Sequence, residues 1–289
     1  MFKEIAIDPA SVVTSAVQFN NIIDRFGISE GRLIAAFPSK WKKLVFDAAN
    51  AEHKHAAKQM DLKTIEYRLT KLPKSIFVSR ERPGQGCTND WITAAIDEHR
   101  RYPFDAVITS VEIAEEGFIS PSDVSKDHPI FKSNREWPVR RDAKSMADCC
   151  SSLLNSSYHI KLIDYKFDAS KLRWRRPLQE FLRKIKAGST IDIFRDDDVL
   201  PINYEMGVRD ALREVARIGA ILRLFTRPSG SMHRRFVLND IGGVSFDIGL
   251  DEDFGGLKTH DTVTVLQEDT WLEQWEKFAG EDCLIQFDI

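Results

Sequence analysis

Cysteine is scarce in this chain: four in 289 residues, Cys87, Cys149, Cys150 and Cys283, with two of them adjacent. That count and spacing fit neither a disulfide framework nor a zinc ligand set, so a reducing compartment is the expectation. No apolar run reaches the length of about eighteen residues that a membrane-spanning helix needs. The opening stretch MFKEIAIDPASVV carries acids and a proline, unlike a secretory signal. The expected location is the cytoplasm, with no membrane partner. Net charge is only −3, from 41 Lys plus Arg against 44 Asp plus Glu. That excludes a global pull toward nucleic acid or anionic lipid and leaves only local patches. A glycine-rich phosphate loop is missing too, because Gly84-Gln-Gly86 is a lone turn. His53 and His55 sit in a charged helix with no ligand partners nearby, so no metal and no cofactor is assigned.

What is present is an ordinary globular composition, 43% hydrophobic and 29% charged. It supports one large domain or two of ordinary size. The first half reads mostly helical. PASVVTSAVQFNNIIDRFG has apolar residues at helical spacing and ends on Gly27. GRLIAAFPSKWKKLVFDAANAEHKHAAKQM continues the helical register with a break near Pro38, and MDLKTIEYRLTKL follows. SIFVS and FDAVITSVEI are the strand candidates, with a helix WITAAIDEHRRY between them capped from Asn89 or Asp90. Residues 117–138 hold three prolines and no period, and mark a boundary or a long ordered loop.

The second half alternates. Helices RRDAKSMADCCSSLLNSS, LRWRRPLQEFLRKIKAG and NYEMGVRDALREVARIG interleave with strands HIKLIDYKFD, STIDIFRDD, AILRLFTRP, HRRFVLND and GGVSFDIGL. This pattern predicts an α/β sandwich with a mixed sheet over 136–289, preceded by a mostly helical α+β domain over 1–135. Asn239, Asp240, Gly242 and Gly243 suit the turn between the last two strands. Near the C-terminus, Trp271 and Trp275 lie four apart on one helix face, a spacing that reads as core packing.

Chemistry concentrates in SMHRRFVLND. HRRFVLND reads as a strand, so His233 and Arg235 share one face while Arg234 and Phe236 point the other way. An imidazole can attack phosphorus or shuttle a proton, and a guanidinium can clamp phosphate oxygens. The spacing His233-x-Arg235-x4-Asp240 resembles the H-x-K-x4-D signature of the phospholipase D-like superfamily, with arginine for lysine. IKLIDYKFD resembles that fold's earlier strand, and DIGLDE falls where the family places a Gly-Ser or Gly-Thr pair and an Asn. Here the pair is Gly249-Leu250. The resemblance covers roughly Arg140 to Leu266. A second His-Arg-Arg, in HRRYPFD at His99, breaks the spacing and is read as structural.

The resemblance implies His233 as nucleophile or acid, Arg235 as clamp and Asp240 as a supporting residue. Asp164, Tyr165, Asp251 and Arg141 are candidate pocket-lining residues. Asp164 equally suits a helix cap, and Asp251 with Glu252 equally suits a solvated hairpin end. One motif per chain resembles the family's homodimeric nucleases, in which each protomer supplies one histidine without metal, with DNA or RNA as substrate. An H-x-R version also resembles the C-terminal module of MIT-domain proteins, which implies a binding role instead. Single-motif proteins of this look resemble components of bacterial anti-phage defence, which act beside an ATPase partner. Finally, Arg173, Trp174, Arg175 and Arg176 read either as a phosphate-backbone surface with an aromatic platform or as a solvated helix face.

Overall fold

The computed structural model describes residues 2–54, 59–78, 90–125, 127–132, 135–215, 219–280 and 283–288. Gly84, Gly86, Cys87, Asn89 and His55 lie outside the described residues. The chain divides into two compact units, residues 3–134 and residues 1–2 with 135–289.

The N-terminal unit runs β1 (Lys3–Ile7), α1 (Ala16–Ile23), β2 (Arg32–Ala35), α2 (Trp41–Glu52), α3 (Gln59–Lys71), β3 (Phe77–Val78), α4 (Trp91–Arg101), β4 (Ala106–Ile108) and β5 (Phe118–Ile119). Its five strands form one sheet in the order β3-β2-β1-β4-β5, every pair parallel. The central strand KEIAI is apolar on both faces because both faces are covered. Ile5 and Ile7 join the core under α1, α2 and α3, while Ala6 joins Ala95, Phe104 and Val107 beneath α4. The helices are those the periodicity predicts, and helical residues outnumber strand residues. The strands alternate with them, however, and RLIA, which the helical register of GRLIAAFPSK absorbs, is a strand. Strands this short carry no alternation, because both of their faces are dry. The loose stretch 117–138 holds β5 and the start of the next unit.

The C-terminal unit runs β6 (Glu136–Arg140), α5 (Ala143–Leu154), β7 (His159–Ile163), α6 (Leu172–Lys184), β8 (Thr190–Asp196), α7 (Tyr204–Val215), β9 (Ile221–Arg227), β10 (Arg235–Asn239), β11 (Gly242–Phe246), β12 (His260–Val265), α8 (Glu268–Lys277) and β13 (Ile285–Asp288). Eight strands form a mixed sheet ordered β13-β9-β8-β7-β10-β11-β12-β6. β7, β8 and β9 are parallel, and the other pairs are antiparallel. The chain is thus α/β with a mixed sheet in its second half. The β10–β11 hairpin closes through Asp240 and Ile241, with Asn239 opposite Gly242.

One face of this sheet carries Ile163, Phe194, Phe225, Phe236 and Leu238, with Trp271 and Trp275 of α8 packed on them. The tryptophan pair is core packing. The indole N–H of Trp271 also donates to the Asn239 carbonyl at 2.9 Å, tying α8 to the hairpin. Both rings are half-buried, so each contributes only part of the roughly 2–3 kcal/mol that full burial of such a side chain would.

Candidate functional site

β10 begins at Arg235, so strand alternation does not reach back to His233. His233 and Arg234 precede the strand, are both exposed, and make no side-chain hydrogen bond or ion pair among the described residues. They stand at the end of a groove of about 680 Å³ lined by Arg135, Glu136, Ser245 and Asp247 among others. Its floor follows from the register. Phe236 is opposite Ser245, Ser245 opposite Thr264, and Thr264 opposite Glu136, so these four side chains share one face across four strands. The groove therefore offers one free imidazole, two guanidiniums, hydroxyls and two carboxylates.

Arg235 does not line that groove. Its Nη2 donates to the Tyr165 hydroxyl at 2.6 Å and its Nη1 to the Asp247 carbonyl at 3.1 Å. The guanidinium lies 4.5 Å over the Tyr165 ring. The side-by-side His233–Arg235 arrangement expected from alternation is corrected accordingly: Arg234 accompanies the histidine, and Arg235 is engaged elsewhere. Asp240 is exposed in the turn at the far end of β10, about 17 Å along the strand. It cannot touch His233. The buried polar side chain at this end of β10 is Asn239, which donates to the Leu153 carbonyl at 2.7 Å and Ser156 Oγ at 2.9 Å and accepts from the Ile241 N–H. His99, in the decoy copy, is structural: its Nδ1 accepts the Phe104 N–H at 3.2 Å.

Asp164, Asp251 and Arg141 form a buried lattice around DIGLDE instead of an open pocket wall. Arg141 Nη2 donates to Asp251 Oδ1 at 2.7 Å and to its carbonyl at 3.0 Å, and Arg173 pairs with the other carboxylate oxygen. Glu252 meets Arg176 at 3.2 Å and accepts the Ala143 N–H that opens α5. Asp261 accepts from the N–H groups of Asp247, Ile248 and Gly249. Asp164 accepts from Leu250 N–H at 2.8 Å and Lys166 N–H at 3.0 Å. The crowding requires glycine at 249, where a Cβ would fall 2.4 Å from Asp251 Oδ1. All of this fixes the segment whose Asp247 carbonyl holds Arg235.

The Asp164 carboxyl is pushed up to about 6, first by burial, against the pull of the two N–H donors and Arg235. A carboxyl with a higher pKa folded than unfolded contributes stability that is full below the unfolded value. That contribution is lost as pH rises through the folded value, here about 6. Relative to Asp164→Asn, the wild type should therefore lose on the order of 2–3 kcal/mol as pH rises from below about 4, the unfolded value, to neutral. Urea midpoints across that window test this; parallel curves for the two proteins would contradict it.

The arginines of α6 are not a free stripe. Arg175 pairs with Asp210 at 3.1 Å, and Arg173 and Arg176 are committed as above. Trp174 is buried edge-to-face on Phe167, with ring centroids 5.6 Å apart, so it offers no platform to a base. An amphipathic helix between sheet and solvent buries its aromatic and neutralises its cations locally.

A charged row inside the sheet escaped the motif reading. Lys161, Asp192 and Arg223 stand in register on β7, β8 and β9. Asp192 accepts from Arg223 at 2.7 Å and meets His159 Nε2 at 2.6 Å. Lys161 donates to the Trp275 carbonyl at 2.7 Å, and burial lowers it to about 8. The signal was a charged residue at the third position of each of three parallel strands, flanked there by Ile or Leu.

No family model matches the chain, and neither does any curated protein. Solved structures with partial likeness include Nuc, a phospholipase D family member from Salmonella typhimurium, at 15% identity and TM-score 0.34. That match covers 49% of this chain and 91% of Nuc. TrmBL2, an archaeal chromatin protein, is 19% identical with TM-score 0.26 over 50% of this chain and 53% of its own. Polyphosphate kinase from Porphyromonas gingivalis is 12% identical with TM-score 0.32 over 50% of this chain and 25% of its own.

Proposed function

We propose that the C-terminal unit is a phospholipase D-like phosphodiester-handling module that works as a homodimer on DNA or RNA. The observation that carries the reading is the unpartnered, exposed His233 beside Arg234 and Arg135 in an open groove. One chain supplies one imidazole, and the two-step reaction needs two. A first His233 attacks phosphorus, forming a P–N bond as the P–O bond to the leaving alkoxide breaks. The His233 of a second chain gives that alkoxide its proton. It then takes a proton from water, whose oxygen forms the new P–O bond as the P–N bond breaks. Arg234 and Arg135 hold the non-bridging oxygens. The setting proposed is a bacterial anti-phage defence or conflict system with an ATPase partner, on the ground of the single-motif pattern.

Sedimentation velocity is the direct test: a dimer is expected, and a chain that stays monomeric at all concentrations loses its second imidazole and the mechanism with it. A rival reading, a non-catalytic module that binds a partner protein, is favoured by one observation. The guanidinium of Arg235 is already occupied by Tyr165 and Asp247. It predicts partner or nucleic-acid binding that survives His233→Ala unchanged.

A further inference from the structure

At the C-terminal tip of β8 lies a buried cation that forms no ion pair among the described residues. Arg195 is 5% exposed. Its Nε donates to the Asp196 carbonyl at 3.1 Å, while its Nη1 is sealed from solvent without a hydrogen-bond partner. The Tyr204 ring lies beneath the guanidinium, 5.5 Å from its carbon to the ring centroid. Tyr204 is 1% exposed, and its hydroxyl has no partner either. It is also the first residue of α7; its own N–H donates to the Pro201 carbonyl at 2.9 Å, and the remaining N–H groups of the first turn, with the positive dipole end, lie at this junction. Gly207 lets the helix close tightly on the turn after β7, where a Cβ would fall 2.1 Å from the Ala169 carbonyl oxygen.

Neither neighbouring carboxylate forms an ion pair with Arg195. Asp168 accepts from the N–H and hydroxyl of Ser170 and pairs with Lys171 at 3.0 Å. Asp196 leaves the strand on the opposite side, where its Oδ2 meets the Ser229 hydroxyl at 3.4 Å and its buried Oδ1 has no hydrogen-bond partner; it acts on Arg195 only as a through-space charge. A buried guanidinium without a counter-charge is among the costliest arrangements a fold can hold. Water would fill the hydrogen bonds but not cancel the charge. The geometry points to a buried anion subsite at the β8–α7 junction, in which Arg195, Tyr204 and the first turn of α7 take one oxyanion of phosphate size. A planar fork, a hydroxyl and helix amides are donors that one tetrahedral oxyanion with several oxygens can take together. Its source is free phosphate or the terminal phosphate of a nucleic-acid strand. Arg195 and Tyr204 are not part of the His233 groove lining, so this subsite does not depend on that reading.

The test is calorimetric titration of inorganic phosphate into the full chain at fixed ionic strength, with chloride as control. One saturable site is expected, with a melting temperature that rises with phosphate and not with chloride. Tyr204→Phe keeps the ring and should weaken binding about tenfold through one lost hydrogen bond. Arg195→Met, which removes an unpaired charge from the interior, should fold and lose binding altogether. Equal effects of chloride and phosphate, or wild-type affinity in both variants, would overturn the proposal. So would loss of phosphate binding in His233→Ala alongside intact binding in Tyr204→Phe, because the anion would then sit in the groove. A 5′-phosphorylated oligonucleotide that competes with phosphate would identify a strand end as the source; absence of competition would identify free phosphate.

Discussion

Asp251→Ala should lower the stability of the C-terminal unit by about 3–5 kcal/mol, a fall in melting temperature of about 10 °C. The argument rests on what is left behind. Arg141 and Asp251 side chains are 3% and 7% exposed and meet at 2.7 Å. Removing the carboxylate strands a guanidinium where water does not reach, and also frees Arg173. The loss is the cost of an uncompensated buried charge, which exceeds the worth of the intact pair. Adding Arg141→Met to Asp251→Ala should therefore recover most of the stability, since an apolar replacement of both partners is nearly neutral. Differential scanning calorimetry of the three proteins decides it. A single-variant loss under about 1 kcal/mol would place the pair among surface ion pairs and remove its role in pinning DIGLDE.

How legible that lattice was in the sequence depends on distance along the chain. Helices α5, α6 and α7 and strands β7 to β11 are local objects, and period, caps and turn residues predict them. Asp142, for instance, caps α5 by accepting the Ser145 N–H. The partners of Asp251 and Asp164 lie 110 and 86 residues away, and no local pattern pairs them. Arg141 and Asp251 were thus readable as charged residues near a site, but not as each other's counter-ion. The basic run on α6 stayed open between two readings for the same reason: its acids come from Asp210, Asp251 and Glu252. In the N-terminal unit the obstacle was burial. KEIAI and RLIA are covered on both faces, so the period of two that marks a half-exposed strand is absent. Motif spacing singled out His233, while the expectation that it shares a face with Arg235 assumed a strand from residue 233, and β10 begins two residues later.

His233→Ala should abolish phosphodiester cleavage, by about a thousandfold or more, while leaving stability within about 0.5 kcal/mol of wild type. Both halves follow from one fact: the imidazole is exposed and bonded to nothing among the described residues, so it does nothing for the fold. Supercoiled DNA, single strands and RNA in the presence of a metal chelator are the substrates to assay. Mixing then tests the geometry. If each active centre takes one imidazole from each of two chains, every mixed dimer is dead, and activity falls as the square of the wild-type fraction. Centres complete within one chain would give a straight line instead. Residual cleavage at wild-type rate in the variant would end the nucleophile assignment outright. Wild-type inactivity on all three substrates would leave the groove as a binding surface, with Arg234 and Arg135 its anion contacts and Arg235 a strut between β10 and Tyr165.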